Sequence, residues 1–118
     1  MLLAAVIDFR NARDDRLDRT LRQCIIATEW LTDHLADFGA DRILIGGKSS
    51  GAHLGCEALL HLRSVGKISR VARFYSMCGV FDLDASRSLR KVSRCSLLID
   101  GPAAIKNLHR LTLPFPAT

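Results

Sequence analysis

The stretch Ile43-Leu44-Ile45-Gly46-Gly47-Lys48-Ser49-Ser50-Gly51-Ala52-His53-Leu54 decides the reading of this chain. It opens with a run of branched apolar residues, passes through glycines, and continues into Ala52, Leu54, Ala58, Leu59 and Leu62, spaced as on one face of a helix. A buried strand, a tight turn and a helix are therefore expected, with Gly66 closing the helix. The turn carries G-x-S-x-G, with Gly47, Ser49 and Gly51 in the three fixed places. Between a strand and a helix, this pattern sets the serine on a sharp, strained elbow and lifts its hydroxyl above the sheet edge. There Ser49 is the candidate nucleophile, and the backbone N–H of Ser50 is the candidate donor to a developing oxyanion at the positive end of the helix.

Rival uses of the same glycines are weaker. A phosphate loop needs Gly six residues before its Lys, but position 42 is Arg. A dinucleotide G-x-G-x-x-G is absent. A looser anion site at the helix start, or a glycine turn with a bystander serine, remains open from the motif alone. His53, Glu57 and His61 share a helix face beside Cys56, but the two histidines stand two turns apart, too far to share one ion easily. No metal and no cofactor is expected.

Outward from the turn, Leu2 to Phe9 reads as a strand buried on both faces. Leu17, Leu21, Cys24, Ile25, Thr28, Leu31, Leu35 and Phe38 mark a helix over about 15–38, with Asp14 or Asp15 as cap and Gly39 as left-handed stop. Arg42 to Ile45 is the second strand, and Ile68 to Met77, centred on Val71 to Tyr75, the third. Beyond Gly79 the pattern weakens. Ser86 to Arg94 suggests a basic helix, Leu97 to Ile99 a short apolar piece, and Pro102 to Leu108 a helix with Pro in its first turn. The expected class is α/β: a three-layer arrangement with a partial parallel sheet of about three strands flanked by helices. One partial domain over 1–118 is expected, with 84–118 an irregular, partly helical, cap-like part.

Composition bounds the function. The chain has 118 residues, 48% of them apolar and 25% charged, which are globular averages and exclude disordered, collagen-like and coiled-coil readings. Residues 1–59 carry seven basic and nine acidic side chains, net −2, and residues 60–118 ten and three, net +7, together the formal +5. The arginines of the second half are scattered among few aromatics, so a solvated basic surface is expected, not a nucleic-acid site. No apolar run approaches the roughly 20 residues of a membrane span. Met1 to Ile7 has no basic segment before it and is read as strand, not leader. Cys24, Cys56, Cys78 and Cys95 form no CxxC pair and are expected reduced, Cys24 and Cys56 as core thiols, in a cytoplasmic setting.

The ordered set of motifs resembles the α/β-hydrolase fold, in particular the fold-3 esterases and lipases related to hormone-sensitive lipase. Ala5-Val6-Ile7-Asp8-Phe9-Arg10-Asn11-Ala12 resembles that family's strand ending in Asp-Tyr-Arg or Asp-Phe-Arg. Glu29-Trp30-Leu31 and Phe38-Gly39-Ala40-Asp41-Arg42-Ile43 resemble the helix and link into the nucleophile strand, and Cys78-Gly79-Val80-Phe81-Asp82-Leu83 the stretch after the next strand. The resemblance runs from about Ala4 to Arg90. It implies a carboxylic-ester hydrolase working through an acyl-enzyme on Ser49, with the Ser50 N–H in the oxyanion hole and a small acyl ester as substrate.

There are departures. Lys48 stands where the family has an acidic residue, and Ser50 where it has Ala. A His-Gly-Gly oxyanion loop is absent from these 118 residues. Asp100 and His109 stand too near each other and the elbow for the family's acid and base, and Asp100 reads as a cap for the Pro102 helix. His34, within the first helix, is no better a base. The resemblance thus implies a central, truncated segment of an esterase, and does not by itself imply activity of that segment alone. The alternative is a catalytically silent α/β fragment that associates with itself or a partner through open sheet edges.

Overall fold

A computed structural model describes residues 2–11, 17–79 and 81. Four principal elements follow in chain order: α1 (Leu17–Asp33), β1 (Ile43–Lys48), α2 (Ser50–Ser64) and β2 (Val71–Met77). Short 3₁₀ turns at Leu35–Phe38 and Ile68–Arg70 lead into the two strands. The expected helices beyond residue 81 lie outside the described residues.

β1 and β2 pair in parallel, with Leu44 opposite Arg73, Ile45 opposite Phe74, Gly46 opposite Tyr75 and Lys48 opposite Met77, after an irregularity between Ile43 and Leu44. α2 is the crossover that a parallel pair requires. It lies close on one face of the sheet because Gly55 offers no side chain there: a Cβ on Gly55 would sit 3.3 Å from the Phe74 ring and 3.4 Å from Ile45 Cγ2. Ala52, Leu54, Ala58 and Leu62 form the buried stripe of α2, with Ile45, Cys24 and Leu35 completing the core. Helices thus flank a small parallel sheet, as an α/β chain requires. On the opposite sheet face Leu44, Tyr75 and Met77 are exposed.

The sheet has two strands among the described residues, where about three were expected. Leu2 to Phe9 forms no strand. An apolar run becomes a strand only where a neighbour about 4.8 Å away takes its backbone groups. This segment is instead held at one end, where the Arg10 N–H donates to Gln23 Oε1 at 2.9 Å and the Thr20 hydroxyl donates to the Arg10 carbonyl at 2.6 Å. A cavity of about 290 Å³ is lined by Ala5, Ile7 and Phe9 of this segment together with Ile45 of β1 and Leu54 of α2. β1 also runs further than expected, through Gly46 and Gly47 to Lys48, because those residues pair with Tyr75, Ser76 and Met77.

In α1 the buried row is Thr20, Cys24, Thr28 and Thr32, four apart, which keeps Cys24 and Thr28 of the expected row and leaves its Leu17, Leu21, Ile25 and Leu31 half-buried. The Thr28 hydroxyl donates to the Cys24 carbonyl and that of Thr32 to the Thr28 carbonyl, both at 2.7 Å, so burial leaves neither unpaired. The α-helix ends at Asp33, and the expected final turn to Phe38 is 3₁₀. Gly39 is the left-handed stop, at φ 67°.

Candidate active site at the β1–α2 elbow

Ser49 joins the end of β1 to the start of α2 with φ 54° and ψ −119°, a conformation an L side chain rarely adopts. The surroundings hold it there from both sides. Its N–H donates to the Met77 carbonyl at 2.8 Å, which extends the β1–β2 pairing by one bond. Its carbonyl accepts from the N–H groups of Ala52 and His53 at 3.0 and 3.3 Å, which starts α2. Strand and helix thus both use this one residue, and the reversal of direction between them falls on its φ.

Serine at a helix N-cap ordinarily turns its hydroxyl onto the N–H groups of the first turn. Ser49 occupies that position and makes no such bond. Its side chain is exposed, next to the first N–H groups of α2, which have no acceptor within the helix. The first turn of α2 carries no acidic residue, and Lys48 precedes it, so the local field is positive.

The two motif glycines have different reasons. A Cβ on Gly47 would lie 2.3 Å from the Gly51 carbonyl carbon and 2.7 Å from the Ala52 nitrogen, so the strand and helix backbones can meet here only without a side chain. A Cβ on Gly51 would meet nothing within 4 Å. The motif's spacing is satisfied at both, but only Gly47 is demanded by space.

The other candidates are placed elsewhere. His61 lies at the far end of α2, where its Nε2 is 2.6 Å from Glu29 Oε2. The Lys67 ammonium donates to Glu29 Oε1 and to Asp33 Oδ2, both at 2.7 Å. The bonds from Lys67 and then His61 hold the Glu29 carboxyl below the usual range, and the Asp33 and Glu29 carboxylates raise Lys67. This network ties α1 to α2 and to the turn after it. Its partners stand 32 to 38 residues apart in sequence, so no local spacing signals it. His34 stacks on Trp30 with ring centroids 4.2 Å apart, and its Nδ1 is 2.7 Å from the Trp30 carbonyl oxygen.

Cys24, Cys56 and Cys78 are free thiols. Burial pushes the thiol pKa of Cys24 up; burial, and then the Glu57 charge, raise that of Cys56. Neither is therefore poised as a thiolate. Among the described residues no group of three His, Cys, Asp or Glu side chains is placed to hold a metal. No helix there is long and apolar enough to cross a membrane. Asp100 and His109 lie outside the described residues. Sequence reading missed one feature of the site itself: Cys78, directly after the Met77 carbonyl that holds Ser49, is, among the described residues, the other non-glycine residue at positive φ, 53°.

A parallel strand, a positive-φ serine and a helix packed back on that strand define an α/β protein with a sharp strand-to-helix elbow at Ser49. A family model of the α/β-hydrolase fold matches residues 2–117, and the chain belongs to that family, in its fold-3 group. No curated protein and no solved structure matches it significantly.

Proposed function

We propose that the chain is a carboxylic-ester hydrolase that works through an acyl-enzyme on Ser49. The observation that carries this reading is the backbone of Ser49, at φ 54° and ψ −119°, with a hydroxyl that caps nothing. The Ser49 oxygen attacks the ester carbonyl carbon while its proton passes to a general base. The oxyanion that forms faces the Ser50 N–H and the positive end of α2. Collapse of the tetrahedral species expels the alcohol, which takes the proton back, and water then releases the acid by the same sequence in reverse. A protonated serine hydroxyl is a poor nucleophile, so turnover depends on the base. Family membership supports hydrolase chemistry, and the free thiols support a reducing, cytoplasmic setting.

The test is hydrolysis of p-nitrophenyl acetate and butyrate, beside labelling by a serine-reactive phosphonate read by mass spectrometry. The expected result is label on Ser49 and at least about a thousandfold loss of turnover in Ser49→Ala, in line with removal of a nucleophile. A protein that takes no label and hydrolyses no faster than Ser49→Ala overturns the proposal. A second reading, association through sheet edges, is favoured by one observation: each of the two described strands is an edge strand with one side unpaired. A monodisperse monomer in light scattering would remove it.

A further inference from the structure

α1 has two unlike sides. Thr20, Cys24, Thr28 and Thr32 are buried, and Cys24 and Thr28 line the cavity shared with Ala5, Ile7 and Ile45, so this side looks toward the sheet layer. Ile26 stands two residues from both Cys24 and Thr28, and Trp30 two residues from both Thr28 and Thr32. At about 100° per residue each lies about 200° around the helix from that row, on the side turned away from the sheet. In a layered α/β architecture the sheet and the neighbouring helices close the inner side of a helix and leave its outer side to solvent. Here the outer side is apolar: Ile26 is 60% exposed and Trp30 53%. The strip continues through His34, stacked on Trp30 at 4.2 Å, to Phe38, which is 42% exposed and meets the Trp30 ring edge-on at 6.4 Å. From Ile26 to Phe38 it runs roughly 18 Å, and a contiguous exposed strip of this kind marks an interaction surface.

Charge along the strip selects its occupant. Arg19 and Arg22 are exposed toward its start, and Asp33 and Asp37 toward its end. A second copy laid parallel would set arginine on arginine. Laid antiparallel and centred between Ile26 and Trp30, it sets the Ile26 of each copy on the Trp30 of the other, Arg22 within one residue of the partner's Asp33, and Arg19 opposite the partner's Asp37. Asp33 can serve in such a pair while its Oδ2 holds Lys67, because its side chain is still 47% exposed. Antiparallel helices also bring each negative end beside the other's positive end. An anionic membrane or a nucleic acid would meet the two aspartates, and the segment 86–94, with four cations and no acid, matches one end of the strip only. We propose that the outer face of α1 pairs with the same face of a second copy of this chain, antiparallel about a two-fold axis, with Ile26 and Trp30 at the centre and an Arg22–Asp33 pair on either side of it. A single helix pair lies at the low end of interface sizes, so the dimer is a weak one, with Kd on the order of 10 μM.

Trp30 is the single tryptophan of the chain, so its fluorescence reports on this strip alone. The experiment follows the full chain by sedimentation velocity from about 1 to about 200 μM, bracketing that Kd, with Trp30 emission read over the same range. A reversible monomer–dimer equilibrium is expected, with the emission maximum moving to shorter wavelength as the dimer forms. Ile26→Glu should weaken dimerisation at least about tenfold, as a charge at the centre of a small interface does. Arg22→Asp should weaken it as well, and Arg22→Asp combined with Asp33→Arg should restore it, because each copy then again meets the opposite sign. That restoration cannot come from misfolding. Leu60→Ser, on the exposed side of α2, should leave the equilibrium unchanged. A chain that stays monomeric at about 200 μM, association that leaves Trp30 emission unmoved, as pairing through sheet edges would, or a double reversal no better than Arg22→Asp alone overturns the proposal. So does a monomer whose emission already stands at the buried wavelength, since a segment of the same chain would then cover the strip.

Discussion

The two ends of α2 are built on opposite terms. At its start, Ser49 is held at positive φ by backbone bonds alone, and its side chain has no capping role. At its end, Glu29, Asp33, His61 and Lys67 join two helices and a turn through three contacts of 2.6 to 2.7 Å. Strain gathers at the first end and side-chain pairing at the second. A well-paired histidine is thus no guide to chemistry here: His61 is a strap between helices, whereas Ser49, the proposed nucleophile, lacks a capping partner.

The largest expected effect comes from closing the contact that makes the elbow possible. Gly47→Ala puts a methyl group 2.3 Å from backbone that cannot give way, and should destabilise the protein by more than about 3 kcal/mol in urea unfolding. Gly51→Ala, in open space, should stay within about 1 kcal/mol of the parent, gaining helix propensity. Equal losses at the two glycines would break the distinction drawn between them.

Next in size is relief of the strain itself. Ser49→Gly should stabilise the fold by about 1 kcal/mol, because glycine adopts positive φ without a Cβ penalty, while any serine-dependent labelling disappears. A loss of stability would show that the Ser49 side chain supports the fold instead of being strained by it.

The smallest effect belongs to the exposed network and is read as a slope against pH. The native Glu29 carboxyl binds its proton less readily than the unfolded one. Its contribution is therefore present above the ordinary glutamate range, about pH 4.3, and is lost as pH falls through the lower native value. Lys67 has its pKa raised in the native state, so its contribution is complete below the ordinary lysine range and fades as pH rises through the higher native value. Thermal unfolding of Glu29→Gln should show a shallower acid slope than the parent. An unchanged slope would assign the strap no part in stability, as for many exposed ion pairs.

Much of this was legible in the chain because it rests on local rules. Ile43 to Ile45 is a strand because its apolar residues are contiguous and branched, and Gly39 and Gly66 end their helices at φ 67° and 76°, a region that glycine enters freely. The elbow was legible because its residues are neighbours in sequence. The row expected in α1 faces inward at Cys24, Thr28 and Leu35, while Leu17 and Leu21 are only half-buried and Thr20 and Thr32 complete the buried set. Periodicity locates the inward side of an amphipathic helix, but how deeply each residue on it is buried depends on the neighbours.

The sequence by itself determined the order of elements, the stops between them, and the serine on which a strand and a helix meet, because these follow from propensities acting over a few residues. Tertiary structure decided that Leu2 to Phe9 stays outside the sheet, that Gly47 and not Gly51 is sterically required, and that Glu29 finds His61 and Lys67. Each of those outcomes depends on a group distant in sequence, and the pattern of a chain cannot state which distant group will arrive within hydrogen-bond or van der Waals reach.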